Sequence, residues 1–89
     1  MKTVRLDGQC MVNKETAHHY IQSQLGINDY YGHNLDALYD VLSVYDKKIW
    51  IVFTNKSSAF DFLGEYAEQI TETFQDIAKA NENIRLNIL

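Results

Sequence analysis

Two carboxylates and three phenols crowd one short stretch of this chain: Tyr30, Tyr31, Asp36, Tyr39 and Asp40. Such a group can work in two ways. It can form an interface, with carboxylates accepting charge-assisted hydrogen bonds from a cationic partner and tyrosine rings supplying rigid contact area. Alternatively, His33, Asp36 and Asp40 stand at i, i+3 and i+7, a spacing that a helix brings to one face and a metal could use. No second Cys or His at ligand spacing completes such a site, and His33 precedes Asn34, a capping residue, so it need not be helical. The reading is therefore an interface, with no metal, no cofactor and no catalytic residue. The remaining reactive side chains do not change it. His18 and His19 are adjacent and point about 100 degrees apart on a helix, so they cannot act together on one atom; one reads as a surface ring and the other as partly packed. Cys10 reads as a small buried apolar group rather than a nucleophile. Glycine-rich phosphate loops, nucleophile elbows and H-E-x-x-H sequences are absent.

The placement of charge favours the interface. Twelve Asp and Glu against eight Lys and Arg give a formal net charge of -4. That balance disfavours nucleic acid as a partner and favours a basic protein. From Glu15 to Asp46 there is no Lys or Arg, while Asp29, Asp36, Asp40 and Asp46 fall inside. A second basic-free stretch, Ser57 to Ala78, holds Asp61, Glu65, Glu68, Glu72 and Asp76. Like charges at i, i+4, such as Asp36 and Asp40, repel on a helix, whereas opposite charges at that spacing would add a few tenths of a kcal/mol. Stability forgone in this way points to function.

Three strands and several helices must position these residues. Lys2 to Leu6 alternates Val4 and Leu6 with polar neighbours and stops at the turn dipeptide Asp7-Gly8, as a short strand does. Asn13 is a fitting N-cap for a helix from Lys14 to Leu25, and Gly26 a fitting left-handed C-cap. Asn34 caps a second helix of roughly Leu35 to Tyr45. Its apolar stripe is Leu35, Leu38, Leu42 and Tyr45, with Asp36, Tyr39, Asp40 and Ser43 on the opposite side. Ile49 to Phe53 is uniformly apolar, which suits a central strand buried on both faces. Ser57 or Ser58 caps a short helix to Leu63, Gly64 interrupts, and a longer helix reaches about Ala80. It packs Tyr66, Ala67, Ile70, Phe74 and Ile77 inward and its acids outward. Ile84 to Ile88 alternates as an outer strand. The order implies an α/β fold with right-handed parallel crossovers, about four helices and a three-stranded parallel sheet centred on 49–53.

Residues 1–89 suffice for one domain and not for two independent cores. The lone cysteine excludes an internal disulfide and points to a reducing compartment. With no apolar run long enough for a leader or a membrane span, the expected place is the cytoplasm.

The run Tyr30-Tyr31-Gly32-His33-Asn34-Leu35-Asp36-Ala37-Leu38-Tyr39-Asp40-Val41-Leu42 closely resembles the signature of the barstar family, intracellular inhibitors of barnase-type ribonucleases. The likeness extends from Val4 through Asp76 to the closing strand at Ile84. It implies a three-stranded parallel sheet with helices and a non-enzymatic, monomeric inhibitor that binds a basic ribonuclease 1:1. It further implies a partner surface made of Tyr30, Asn34, Asp36, Tyr39, Asp40, Ser43, Val44, Tyr45 and Asp76. By the same resemblance, Asp40 takes the place of a substrate phosphate, Asp36 is the second anion, Tyr30 covers the catalytic histidine region and Asn34 makes polar contacts. Asp76 is one methylene shorter than the family's acid on the last helix. Tyr39, Ser43, Val44 and Tyr45 stand where the best-known barstar has tryptophan, threonine, glycine and tryptophan. A module of the same fold that binds another basic protein is the alternative.

Overall fold

A computed structural model of the chain describes residues 1–27 and 32–89. Its elements run β1 (Lys2–Asp7), a 3₁₀ turn (Gly8–Cys10), α1 (Lys14–Leu25), α2 (Leu35–Ser43), β2 (Ile49–Thr54), α3 (Lys56–Leu63), α4 (Glu65–Ala80) and β3 (Ile84–Ile88). The strands form one parallel sheet in the order β1-β2-β3, with Val4 opposite Ile51 and Ile51 opposite Leu86. Two right-handed crossovers that step the same way along a sheet place their helices on the same face. The helices therefore form one layer over one sheet face.

That arrangement corrects the expectation for the central strand. Ile49, Ile51 and Phe53 are buried under the helices, but Trp50, Val52 and Thr54 are only half-buried. Among the described residues no helix lies on the second face, and long side chains cover it instead. Trp50 Nε1 donates to Asn87 Oδ1 at 2.6 Å, the Arg85 guanidinium lies 5.6 Å from the Trp50 ring centre, and Arg5 Nε donates to Thr54 Oγ1 at 3.2 Å. The apolar run marks the strand's central place rather than burial on both sides.

Helix α1 begins and ends as its sequence requires. Asn13 Oδ1 accepts from Thr16 N at 2.8 Å, and Gly26 adopts φ 68°, donating its N–H to the last-turn carbonyls. Ala17, Ile21 and Leu25 are buried along one face. Helix α3 differs from expectation. It starts at Lys56, behind Asn55 in a left-handed conformation at φ 55°, and neither Ser57 nor Ser58 caps it. The Asn55 amide is engaged elsewhere, donating to Asp7 Oδ1 at 2.9 Å, while Asp7 also accepts from Gln9 N at 2.9 Å. This clasp joins the end of β1 to the end of β2, with Gly8 packed so tightly that a Cβ there would collide with the Asn55 carbonyl. Cys10, at the end of the 3₁₀ turn, is exposed rather than buried.

Candidate partner-binding groove

Helix α2 is short and amphipathic, and it is pinned at both ends. Asn34 Oδ1 accepts from Ala37 N at 2.8 Å, closing the N-terminus. At the other end, buried Asn81 donates through Nδ2 to the carbonyls of Leu42 at 2.9 Å and Tyr45 at 2.8 Å. Those bonds take up carbonyls that a longer helix would have used, and the helix stops at Ser43 rather than at Tyr45. Leu38 and Leu42 are fully buried, so the backbone between the two pins is anchored from below.

Held this way, α2 turns Asp36 and Asp40 outward, both exposed, into an open groove of about 730 Å³ shared with α4. Asn34 and Asp36 sit at its α2 end, and Glu72, Thr73 and Asp76 form its α4 wall. No Lys or Arg is among its lining residues. Four carboxylates from two helices thus surround one opening, an arrangement that attracts a cation and resists desolvation unless one arrives. Asp36 lies in the first turn of α2, where the helix dipole favours negative charge. Asp40 lacks that help. It also borders a second, smaller groove with Ile27, Val44, Tyr45 and Lys47, and so stands on the ridge between the two.

The sequence-derived site residues divide as follows. Asn34, Asp36, Asp40 and Asp76 come together in the first groove. Val44 is 77% exposed and Tyr45 half-buried, and both line the second. Tyr39 lines neither. It is half-buried against the core, because its large ring follows the apolar stripe rather than the acids beside it. Ser43 is also half-buried, and its hydroxyl donates to the Asp40 carbonyl at 3.3 Å, within its own helix. Tyr30, with Asp29 and Tyr31, lies outside the described residues. Sequence reasoning missed Glu72 and Thr73 as groove residues. The signal was the spacing of Glu72 and Asp76, one turn apart on α4, but spacing alone does not say which helix they face.

Behind the groove lies a cluster of rings that the sequence did not foretell. His18 is 1% exposed, more deeply buried than the expected partly packed ring. Its Nε2 shares a 2.6 Å hydrogen bond with the hydroxyl of Tyr66, and Tyr66 also lines the groove. His33, at φ 50°, stacks on His18 at 6.4 Å and meets His19 edge-on at 4.3 Å. Burial first, then the neighbouring His33 and His19, depress the His18 pKa below its ordinary value, and burial raises that of Tyr66. His33 is thus taken up with α1 rather than with Asp36 and Asp40. Among the described residues no three His, Cys, Asp or Glu side chains are grouped to hold a metal. Nor, among them, is any helix long and apolar enough to cross a membrane.

Comparison with known proteins gives the same direction. The chain is 36% identical over 77 residues to a Bacillus subtilis (strain 168) protein named "Putative ribonuclease inhibitor YrdF", a match covering 85% of each. The model of the family described as Barstar (barnase inhibitor) matches residues 1–89. With the parallel three-stranded sheet, its layer of helices and the whole-length match in agreement, the chain belongs to the barstar family.

Proposed function

We propose that this protein inhibits a barnase-type ribonuclease in a 1:1 complex in the cytoplasm, with Asp40 and Asp36 taking the places of RNA phosphates. The observation that carries the reading is the groove in which carboxylates of α2 and α4 converge without a base, in a chain of a family named for barnase inhibition. A nuclease site built for phosphodiesters holds oriented cationic donors that are incompletely paired when empty. A carboxylate fixed on a pinned helix can occupy such a site with little reorganisation. The acidic face also steers a basic partner and speeds encounter at low salt. Asn34, Val44, Tyr45 and Asp76 would complete the contact, along with Tyr30. Tyr39 and Ser43, which point less freely outward, would contribute less.

The test is inhibition of a barnase-type ribonuclease by the wild type and by Asp40→Ala. The substitution is expected to weaken inhibition by at least about 2 kcal/mol, the scale of an interface hot spot, with unchanged thermal stability. Equal inhibition by the two proteins refutes the mechanism. One observation favours a second reading, binding of a different basic protein: the surface next to Asp40 carries an exposed Val44 and lacks Tyr39. Capture from the native host of a basic partner devoid of nuclease activity, competing with Asp40→Ala as the control, would favour that reading.

A further inference from the structure

The sheet face that the helices leave open has a charge of its own. Strand pairing sets Thr3, Trp50 and Arg85 side by side in one row and Arg5, Val52 and Asn87 in another. Successive rows of a sheet point to opposite faces, and the row between these two, with Val4 and Ile51, is buried under the helices. Thr3, Arg5, Arg85 and Asn87 are exposed, and Trp50 and Val52 lie half-buried among them. Both charges on this patch are positive. Asp7, the acid at the end of β1, has its carboxylate engaged by Asn55 Nδ2 and Gln9 N. Arg5 gives Nε to Thr54 Oγ1 and Arg85 lies over the Trp50 ring, so both guanidinium groups keep further N–H donors for a carboxylate.

A second copy meeting this face with the same face would crowd arginine against arginine. The acidic surface that the chain itself offers is the groove between α2 and α4, with Asp36, Asp40, Glu72 and Asp76 on its walls and no Lys or Arg among its lining residues. The dimensions agree. Two strands across and two residues along set the Cα atoms of Arg5 and Arg85 about 12 Å apart, from ordinary strand spacing. Packed helices lie about 8–10 Å apart and acids one turn apart on a helix are separated by about 5.4 Å, so carboxylates diagonal across the groove stand roughly 10 Å apart.

We propose that the uncovered sheet face of one molecule docks on the acidic groove of a second copy, with Arg5 and Arg85 meeting the carboxylates of α2 and α4. The inference goes beyond the inhibitor reading and does not depend on it. Each copy offers a different patch to its neighbour, so a docked pair keeps one open groove and one open sheet face and can add further copies. The contact spans only three short strands, below the size of a standard stable interface, and charge pairs carry it. It is therefore weak and sensitive to salt. Concentrated protein hides its grooves, and dilution frees them.

Static light scattering tests this with protein at about 1 mM, in roughly 20 mM and then 300 mM salt. The wild type is expected to reach about twice the monomer mass in low salt and to return toward the monomer in high salt. Trp50, the only tryptophan of the chain, should shift its emission to the blue as the pair forms. Two variants separate the patches: Arg5→Gln with Arg85→Gln, and Asp36→Asn with Asp40→Asn and Glu72→Gln. Each alone is expected to stay monomeric, although the first raises the net negative charge and the second lowers it. Mixed, they should form a 1:1 pair that grows no further, because one supplies only a groove and the other only a sheet face. A wild type that stays monomeric, a variant that associates alone as the wild type does, or a mixture that remains monomeric overturns the proposal. Circular dichroism checks that each variant is folded, and the single changes Arg85→Gln and Asp40→Asn, expected to give partial losses, decide the matter should a multiple variant unfold. No ribonuclease enters the test, so its outcome is separate from that of the inhibition assay.

Discussion

Asn81, buried near the C-terminus of α4, donates through one side-chain nitrogen to the carbonyls of both Leu42 and Tyr45. Its Oδ1 accepts from Asn83 N at 3.0 Å, so a single amide joins the end of α2 to the turn before β3. Replacement by Ala removes both of these bonds, leaving Leu42 O to the Tyr45 N–H and Tyr45 O to Asn83 Nδ2, at a cost of about 1–3 kcal/mol for the two. Asn81→Ala is expected to lower the melting temperature by roughly 4–8 °C for each kcal/mol lost, read in a thermal scan. Asn81→Asp should be no better, since a carboxylate offers no donor. Recovery of wild-type stability by the Asp variant would contradict this account.

Gly8 tests the clasp between β1 and β2. Gly8→Ala forces a methyl group into the Asn55 carbonyl and the Ala59 side chain, so backbone must move. A loss of about 1–3 kcal/mol is expected from this overpacking, measured by urea unfolding. Gly64→Ala offers a contrast. No atom lies within 4 Å of its Cβ position, so the whole loss, about 1–3 kcal/mol, is expected to come from its backbone at φ 61° and ψ -134°, where a residue with a Cβ is strained.

The clasp should also be visible by titration. The side-chain hydrogen bond from Asn55, followed by that from Gln9 N, holds the Asp7 carboxyl below its ordinary value. A depressed carboxylate contributes stability that is present above its unfolded pKa and lost as the pH falls through its folded pKa. Asn55→Ala should therefore raise the Asp7 pKa toward the ordinary carboxylate value, followed by NMR of the carboxyl carbon. The stability difference between variant and wild type should shrink in acid below that range.

Groove carboxylates set stability against binding. Asp40 stands one turn from Asp36 on a helix with no compensating base among its residues. Asp40→Asn is expected to leave the free protein as stable or more stable by about 0.2–0.5 kcal/mol, the scale of such a repulsion. The same change should weaken ribonuclease inhibition, and the gap should narrow as salt is added. Urea unfolding and inhibition assays at two ionic strengths would measure both effects. A loss of stability in the free variant would show that Asp40 serves the fold.

Local chemistry made much of this fold legible. Asn13, Gly26 and Asn34 act at helix ends in the way their side chains and backbone freedom suggest, and the apolar run at Ile49 marks the central strand. What escaped was decided by groups far apart in the chain. The end of α2 depends on Asn81, the start of α3 on a bond from Asn55 to Asp7, and the second face of β2 on the lack of a helix over it. At the site, helical spacing separated Asp36 and Asp40 from the core but put Tyr39 with them, because spacing does not weigh the pull of a large ring toward apolar neighbours. The partnership of α2 with Glu72 and Asp76, and of His33 with α1, is a matter of packing that no periodicity encodes.

Placing every helix on one side of the sheet also sorts charge by side. Asp36, Asp40, Glu72 and Asp76 belong to the helical layer, while Arg5 and Arg85 lie on the uncovered strands. Although Lys14, Lys56 and Lys79 also stand on helices, the groove itself is locally negative, and a cationic body drifting toward it feels that pull before any atoms touch. Tumbling would be biased so that the acidic side arrives first, shortening the search for the productive orientation.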